Sequence, residues 1–146
     1  VVTRFDDEGR QLVGFSDRVD VPCGGCGQWL ERRFGPPRPP RTARLVCSCG
    51  WRGKEAVTMQ REPTGPVDPE FGLELWFTVP FEAEIVWAYN AEHLRFLRDY
   101  IASDLRERAP NRNGSLASRL PRWMKAAKHR DALVALIDEL EATADG

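Results

Sequence analysis

Two stretches of the chain alternate apolar and polar residues with a period of two. In residues 72–79, Leu73, Leu75, Phe77 and Val79 share one face. In residues 81–87, Phe81, Ala83, Ile85 and Trp87 stand against Glu82, Glu84 and Val86. Both read as β-strands, connected near Pro80. The period then changes. Asn90 suits an N-cap, with Tyr89 and Leu94 at the staple positions, and a helix is expected over 91–108. Its apolar stripe is Leu94, Leu97, Ile101 and Leu105, and the Pro/Asn/Gly-rich run 109–114 ends it. Ser118 can cap a second helix with Pro121 in its first turn, where a missing N–H is tolerated. Leu120, Trp123, Met124 and Ala127 would face inward. Residues 131–141 carry Leu133, Leu136, Ile137 and Leu140, the i, i+3, i+4, i+7 stripe of a further helix. The pattern does not decide whether the last two helices join through residues 128–130.

The first half is weaker in pattern and richer in turns. Residues 1–5 and 11–15 alternate weakly around Asp6-Asp7-Glu8-Gly9 and suggest a hairpin. Residues 35–40, Gly-Pro-Pro-Arg-Pro-Pro, exclude helix and central strand and suggest an exposed extended arm. Residues 62–70 hold Pro63, Gly65, Pro66 and Pro69 and offer the best boundary. The expected division is therefore 1–62, an N-terminal hairpin and ribbon, and 63–146, a β-hairpin with helices.

That first half contains all four cysteines. Cys23-Gly24-Gly25-Cys26-Gly27 and Cys47-Ser48-Cys49-Gly50 are two close pairs, twenty residues apart. Strand-like residues 18–22 and 43–46 lead into them. Two tight turns that each present two thiolates can surround one tetrahedral ion. Gly27 and Gly50 supply the positive φ such turns use. This is the pattern of a zinc ribbon with Cys23, Cys26, Cys47 and Cys49 as ligands of one structural Zn2+. In small modules such an ion contributes about 10–16 kcal/mol of apparent folding free energy. Trp51 follows the second turn and is expected to pack beside the metal turn, with residues 56–59 returning as a strand. The second pair is one residue shorter than ribbons usually have. A redox C-x-x-C at the start of a helix over 28–34 is an alternative, as are disulfides in an exported protein. A redox motif leaves the second pair unexplained.

Composition narrows the class. The chain has 146 residues, 42% hydrophobic and 29% charged, as globular proteins have. No apolar run approaches the ~20 residues of a transmembrane helix, and Arg4, Asp6, Asp7 and Glu8 break up any signal-like start. No membrane partner and a cytoplasmic location are the expectations. The net charge of −1 argues against a general nucleic-acid coat. Divided along the chain, however, it separates into blocks. Residues 1–22 carry three basic and five acidic side chains, 23–62 eight and three, and 63–89 none and five. Residues 90–130 carry ten and four, and 131–146 none and five. Of the 21 basic residues 18 are arginine, a bias that codon usage in a GC-rich genome explains most simply. Arg119, Arg122, Lys125 and His129 recur at helical spacing opposite the apolar stripe. With Lys128 and Arg130 they form a candidate contact for nucleic acid or a protein partner. Neutralisation between blocks inside the fold is the competing reading.

The C-x-x-C-G and C-x-C-G ribbon, Trp87-Ala88-Tyr89-Asn90 with His93-Leu94, and the run from Ser115 to Lys128 (SLASRLPRWMKAAK) together resemble one group. It is the small bacterial zinc-ribbon-containing proteins of the transcription-initiation-factor-B type. The resemblance spans roughly residues 23–140 and implies a metal site followed by strands and helices, not a reaction. The expected fold class is α+β: an N-terminal zinc ribbon, a small antiparallel sheet or hairpin, and a C-terminal two- or three-helix bundle. The leading functional expectation is a non-catalytic zinc-binding module engaging nucleic acid or the transcription machinery. The second is a protein-interaction adaptor using the ribbon and the Pro/Arg-rich arm. Trp29, beside that arm, is a further candidate for stacking on a base or a partner side chain, though packing is its simpler role. A small enzyme with a site at Tyr89, Asn90 and His93 is a third reading. His93 has no partner histidine at i+4, so the zincin pattern is absent and packing is its simpler role.

Overall fold

The computed structural model describes residues 4–6, 8, 10–34, 42–51, 56–57, 65–103, 105–107, 116 and 120–145. The chain opens with β1 (Arg4–Asp6), a single helical turn α1 (Leu12–Phe15), β2 (Arg18–Pro22) and β3 (Trp29–Phe34). Two short strands follow, β4 (Thr42–Arg44) and β5 (Ala56–Val57). The second half holds β6 (Phe77–Phe81), β7 (Glu84–Ala88), α2 (Ala91–Ala102) and β8 (Leu105–Glu107). It ends with α3 (Arg122–Lys125), a 3-10 turn Ala127–His129 and α4 (Arg130–Glu141). The protein is α+β.

β2, β3, β4 and β5 form one antiparallel sheet in that order. Val19 and Val21 of β2 and Leu30 and Arg32 of β3 are buried on one face. That period of two makes residues 29–34 a strand, so the helix over 28–34 required by the redox reading does not form. The arm expected at 35–40 lies outside the described residues.

The N-terminal hairpin expected from residues 1–5 and 11–15 is not found among the described residues. β1 pairs in parallel with β8 instead. Residues 12–15 fold as α1, and buried Phe15 stacks on His93 at 5.0 Å, with Phe96 tilted at 5.3 Å. The contact to α2 outweighs a weak alternation.

The second hairpin, β6–β7, has the opposite phase on its second strand. Its turn is Glu82–Ala83, with Glu82 at φ 52, and Pro80 lies within β6. Val79 therefore faces Val86 and Phe77 faces Ala88. Opposed residues share a face, so Val86 and Ala88 are buried while Ile85 is 53% exposed. Residues 72–76, expected as strand, are loop apart from one bridge, Val67 to Glu74.

Asn90 caps α2 as expected. Its side-chain oxygen accepts from the His93 amide at 2.9 Å, and Tyr89 and Leu94 are both fully buried. The helix stops at Ala102, six residues earlier than expected. Extended Ser103 donates its hydroxyl to the Tyr100 carbonyl at 2.8 Å, and Arg130 Nε donates to the Ile101 carbonyl at 3.2 Å. These groups satisfy carbonyls that a continuing helix would use. Leu105 then falls in β8.

The last two helices do not join. Ala126 is extended between α3 and the 3-10 turn, and Ala127 is exposed rather than inward. Ser118 lies outside the described residues, and Pro121 itself occupies the cap of α3. Leu133, Ile137 and Leu140 of α4 are buried, and α4 packs on α2.

The boundary expected at residue 62 is crossed repeatedly. The Asp20 amide donates to the Tyr89 carbonyl at 2.7 Å, and the Trp76 amide donates to the Asp20 carbonyl at 2.8 Å. Fully buried Arg32 pairs with fully buried Asp68 at 2.8 Å. The Asn90 amide nitrogen donates to the carbonyls of Phe15 and Arg18 at 2.7 and 2.6 Å. One apolar cluster runs from Val19, Cys23 and Cys47 through Phe77 and Leu94 to Ile137.

Asn90 thus caps a helix and holds two carbonyls of the first half. Replacing Asn90 with Ala removes the cap and strands those carbonyls, a loss of about 2–4 kcal/mol. Urea denaturation measures it; a loss below about 1 kcal/mol contradicts this role.

Candidate metal centre

Each cysteine pair sits in a turn closed by backbone hydrogen bonds. In the first, the Cys23 amide donates to the Gln28 carbonyl at 2.7 Å and the Gly27 amide to the Cys23 carbonyl at 3.0 Å. In the second, the Cys47 amide donates to the Trp51 carbonyl at 3.1 Å and the Gly50 amide to the Cys47 carbonyl at 3.0 Å. The second turn is one residue shorter and closes in the same way. Gly27 at φ 76 and Gly50 at φ 94 occupy the left-handed region both turns need.

The turns face each other. Cys23 Sγ lies 3.7 Å from Cys49 Sγ, and Cys26 Sγ lies 3.6 Å from Cys47 Sγ. All four sulfurs fall within 4.8 Å of one another, so they could hold a metal ion. Thiolates about 2.3 Å from a tetrahedral ion stand about 3.8 Å apart, close to the observed separations. Disulfide sulfurs lie about 2.05 Å apart, and all four cysteines are free. Amides of Gly25 and Cys26 point at Cys23 Sγ at 3.3 and 3.4 Å. Burial raises the Cys23 thiol, but these amides and the facing thiols of Cys47 and Cys49 bring it down to about 6. The Gln28 amide favours the Cys26 thiolate, yet burial and the three neighbouring thiols push Cys26 up to about 11. Sulfurs this close do not all ionise unless a cation sits among them.

Trp51, which follows the second turn, packs against the first. A Cβ on Gly24 would come within 2.7 Å of the Trp51 ring, and one on Gly25 within 2.9 Å of its Cβ. Glycine at both positions is what lets the indole cover the turn. Cys23 and Cys47 are buried and Cys26 and Cys49 exposed, so the cluster sits at the rim of the core.

The basic residues singled out in the sequence are not gathered on one helix face. Arg119 lies outside the described residues. Arg122 and Lys125 belong to the four-residue α3, Lys128 to the 3-10 turn, and Arg130 to the first turn of α4. Arg122 and Lys128 are exposed, while Lys125 and Arg130 are half-buried. Arg130 holds the end of α2, and His129 meets Phe81 edge-on at 5.2 Å. Charge blocks of opposite sign meet elsewhere: Arg95 pairs with Glu141, Arg98 with Asp138, and Arg10 with Glu92.

Tyr89, Asn90 and His93 are together, but as core. His93 Nδ1 accepts from the Tyr89 amide at 3.0 Å, and its ring packs against Phe15, Trp87 and Tyr89. Burial, helped by Arg10, brings His93 down to about 3. Three buried charged residues escaped the sequence reading. Arg32 and Asp68 have no local pattern that marks them. Asp20 pairs across the strands with Glu31, and its Oδ1 has no hydrogen-bond partner. Burial pushes its carboxyl up to about 6, against the nearby Trp29 indole and Arg18 and with the help of Glu31.

No protein-family model, no curated protein and no solved structure matches this chain.

Asp20 and His93 oppose each other in pH. Asp20 has a raised folded pKa, so its contribution is lost as pH rises from about 4 through 6. His93 has a lowered one, so its contribution is lost as pH falls from 6.5. Between them the stability profile is shallow. Asp20→Asn is expected to stabilise the protein at pH 7 by about 2–3 kcal/mol and to leave a stability that drops from pH 6.5 to 4. Urea midpoints across that range check it; parallel profiles for variant and wild type contradict it.

Proposed function

We propose that this chain is a non-catalytic binding module built around one structural Zn2+ held by Cys23, Cys26, Cys47 and Cys49, a zinc ribbon within an α+β fold. The convergence of the four sulfurs within 4.8 Å, with two separations of 3.6 and 3.7 Å, carries the reading. An all-thiolate set favours a soft or borderline-soft ion, and zinc suits a tetrahedral site. Four protein ligands also complete the coordination, which leaves no position for a substrate or an activated water. The ion's role is then to join two turns and fix the sheet that extends from them. His93, Asn90 and Tyr89 support the same conclusion from the other side, since they are buried and occupied with one another and with the backbone.

Native mass spectrometry of the purified chain is expected to show one zinc per molecule. Cys47→Ser, at a buried ligand, should lower zinc affinity at least tenfold and loosen the β2–β5 sheet, read by amide exchange. A folded, monomeric, metal-free protein of unchanged stability contradicts the reading.

A further inference from the structure

The four sulfurs differ in access, and both turns differ in the same way. The first cysteine of each turn is buried, Cys23 at 5% and Cys47 at 8% accessibility, and the second, Cys26 or Cys49, is exposed. Trp51 covers the first turn at Gly24 and Gly25 and leaves Cys26 at the surface. The turns then meet crosswise. Exposed Cys26 has buried Cys47 at 3.6 Å, and exposed Cys49 has buried Cys23 at 3.7 Å. Each sulfur that a small oxidant can reach therefore has, beside it, a sheltered sulfur of the opposite turn. A disulfide is about 2.05 Å long, so each cross-turn pair has about 1.6 Å to close.

Which sulfurs join decides what happens to the fold. A disulfide between Cys23 and Cys26 encloses Gly24 and Gly25, and one between Cys47 and Cys49 encloses Ser48. Neither would connect the two turns. The cross-turn pairs are separated by 21 and 26 residues and tie together the same two segments as the metal. A cross-link that closes a longer loop constrains the chain more.

We propose that the cysteine cluster is a site of reversible oxidation by hydrogen peroxide, entered at Cys26 and Cys49 and ending in two cross-turn disulfides, Cys26–Cys47 and Cys23–Cys49. The inference rests on the zinc–thiolate reading above and adds a second clamp to it. A lone pair of the Cys26 sulfur attacks one peroxide oxygen, the O–O bond breaks, and the departing hydroxide takes a solvent proton to become water. The Cys47 thiolate then attacks the Cys26 sulfenic acid. The S–S bond forms, the S–O bond breaks, and this hydroxide also leaves as water with a solvent proton. Two electrons pass from the two sulfurs to one peroxide. Cys49 and Cys23 reduce a second peroxide in the same way. Disulfide sulfurs do not hold Zn2+, so one ion is released per chain with its charge unchanged. The turns stay joined by covalent bonds in its place.

The test treats zinc-loaded full chain with hydrogen peroxide and follows zinc release, free thiols and disulfides together. One zinc and four thiols should be lost per chain for two peroxides consumed. Trypsin cuts after Arg18, Arg32, Arg44 and Arg52, so each cysteine pair falls in one peptide, 19–32 or 45–52. Without reductant the two peptides should stay linked. Fragmentation between Cys23 and Cys26 should find Cys49 on the former and Cys47 on the latter. Dimedone, which traps sulfenic acids, should mark Cys26 and Cys49 first. Amide exchange should show the β2–β5 sheet protected in the oxidised, zinc-free protein, and loosened in reduced protein stripped of zinc by a chelator. Dithiothreitol with added zinc should restore four thiols and the bound ion. The proposal is overturned if zinc and all four thiols survive about a hundredfold excess of peroxide. It is also overturned if the two peptides separate with a disulfide inside each, or if the pairing is Cys23–Cys47 with Cys26–Cys49. Dimedone on Cys23 or Cys47 first, or an oxidised sheet as loose as the stripped one, contradicts it equally. Folded protein isolated without zinc overturns the metal reading instead, and native mass spectrometry shows that before peroxide is added.

Discussion

Four sulfurs brought within 4.8 Å of one another are the constraint on which the rest of this structure depends. Such a cluster is unfavourable for bare thiolates and favourable around a cation. It joins two turns that lie far apart in sequence, and it does so where the strand pairing is thinnest. β2 and β3 share five register pairs, whereas β3 and β4 share two. A short ladder of that kind has little stability alone. Joining the turns at Cys23–Cys26 and Cys47–Cys49 fixes the strands next to them, and with them the surface that the sheet presents. The Trp51 indole over Gly24 and Gly25 adds apolar cover to the same junction.

From the sheet the constraint passes to the helices through the backbone of Asp20. Its amide and carbonyl bond to Tyr89 and Trp76, and Tyr89 directly precedes the cap of α2. Asn90 ties the same cap to the carbonyls of Phe15 and Arg18. The Arg32–Asp68 pair crosses at a third point, deep enough that losing either partner would leave an unpaired buried charge. These ties link the two halves, although their compositions differ. They also resolve much of the charge pattern. Basic residues of α2 meet acidic residues of α4, and a basic residue of β3 meets an acidic one of the adjoining loop. The small net charge therefore reflects pairing in part.

What was legible in the sequence was local. The cysteine pairs with Gly27 and Gly50 carry their turn geometry within five residues, and the Asn90 cap with its Tyr89–Leu94 staple is a similarly short signal. The apolar stripes of α2 and α4 emerged at the right spacing. Less legible were features set by distant partners. Ile85, Val86 and Trp87 are all apolar, so alternation alone did not fix their phase; the Glu82–Ala83 turn and pairing with β6 did. The end of α2 depends on Ser103 and on Arg130 from another helix. Phe15 forms a helical turn because of His93 and Phe96. The basic spacing was legible, but Arg122 and Lys125, Lys128, and Arg130 fall on three separate elements, with Ala126 extended between the first two.

The central claim is that one metal ion joins the two turns through sulfur alone. X-ray absorption at the zinc edge of the natively purified protein tests it most directly. The account predicts a first shell of four sulfurs at about 2.3 Å with no lighter ligand. A shell containing nitrogen or oxygen, or fewer than four sulfurs, would contradict it.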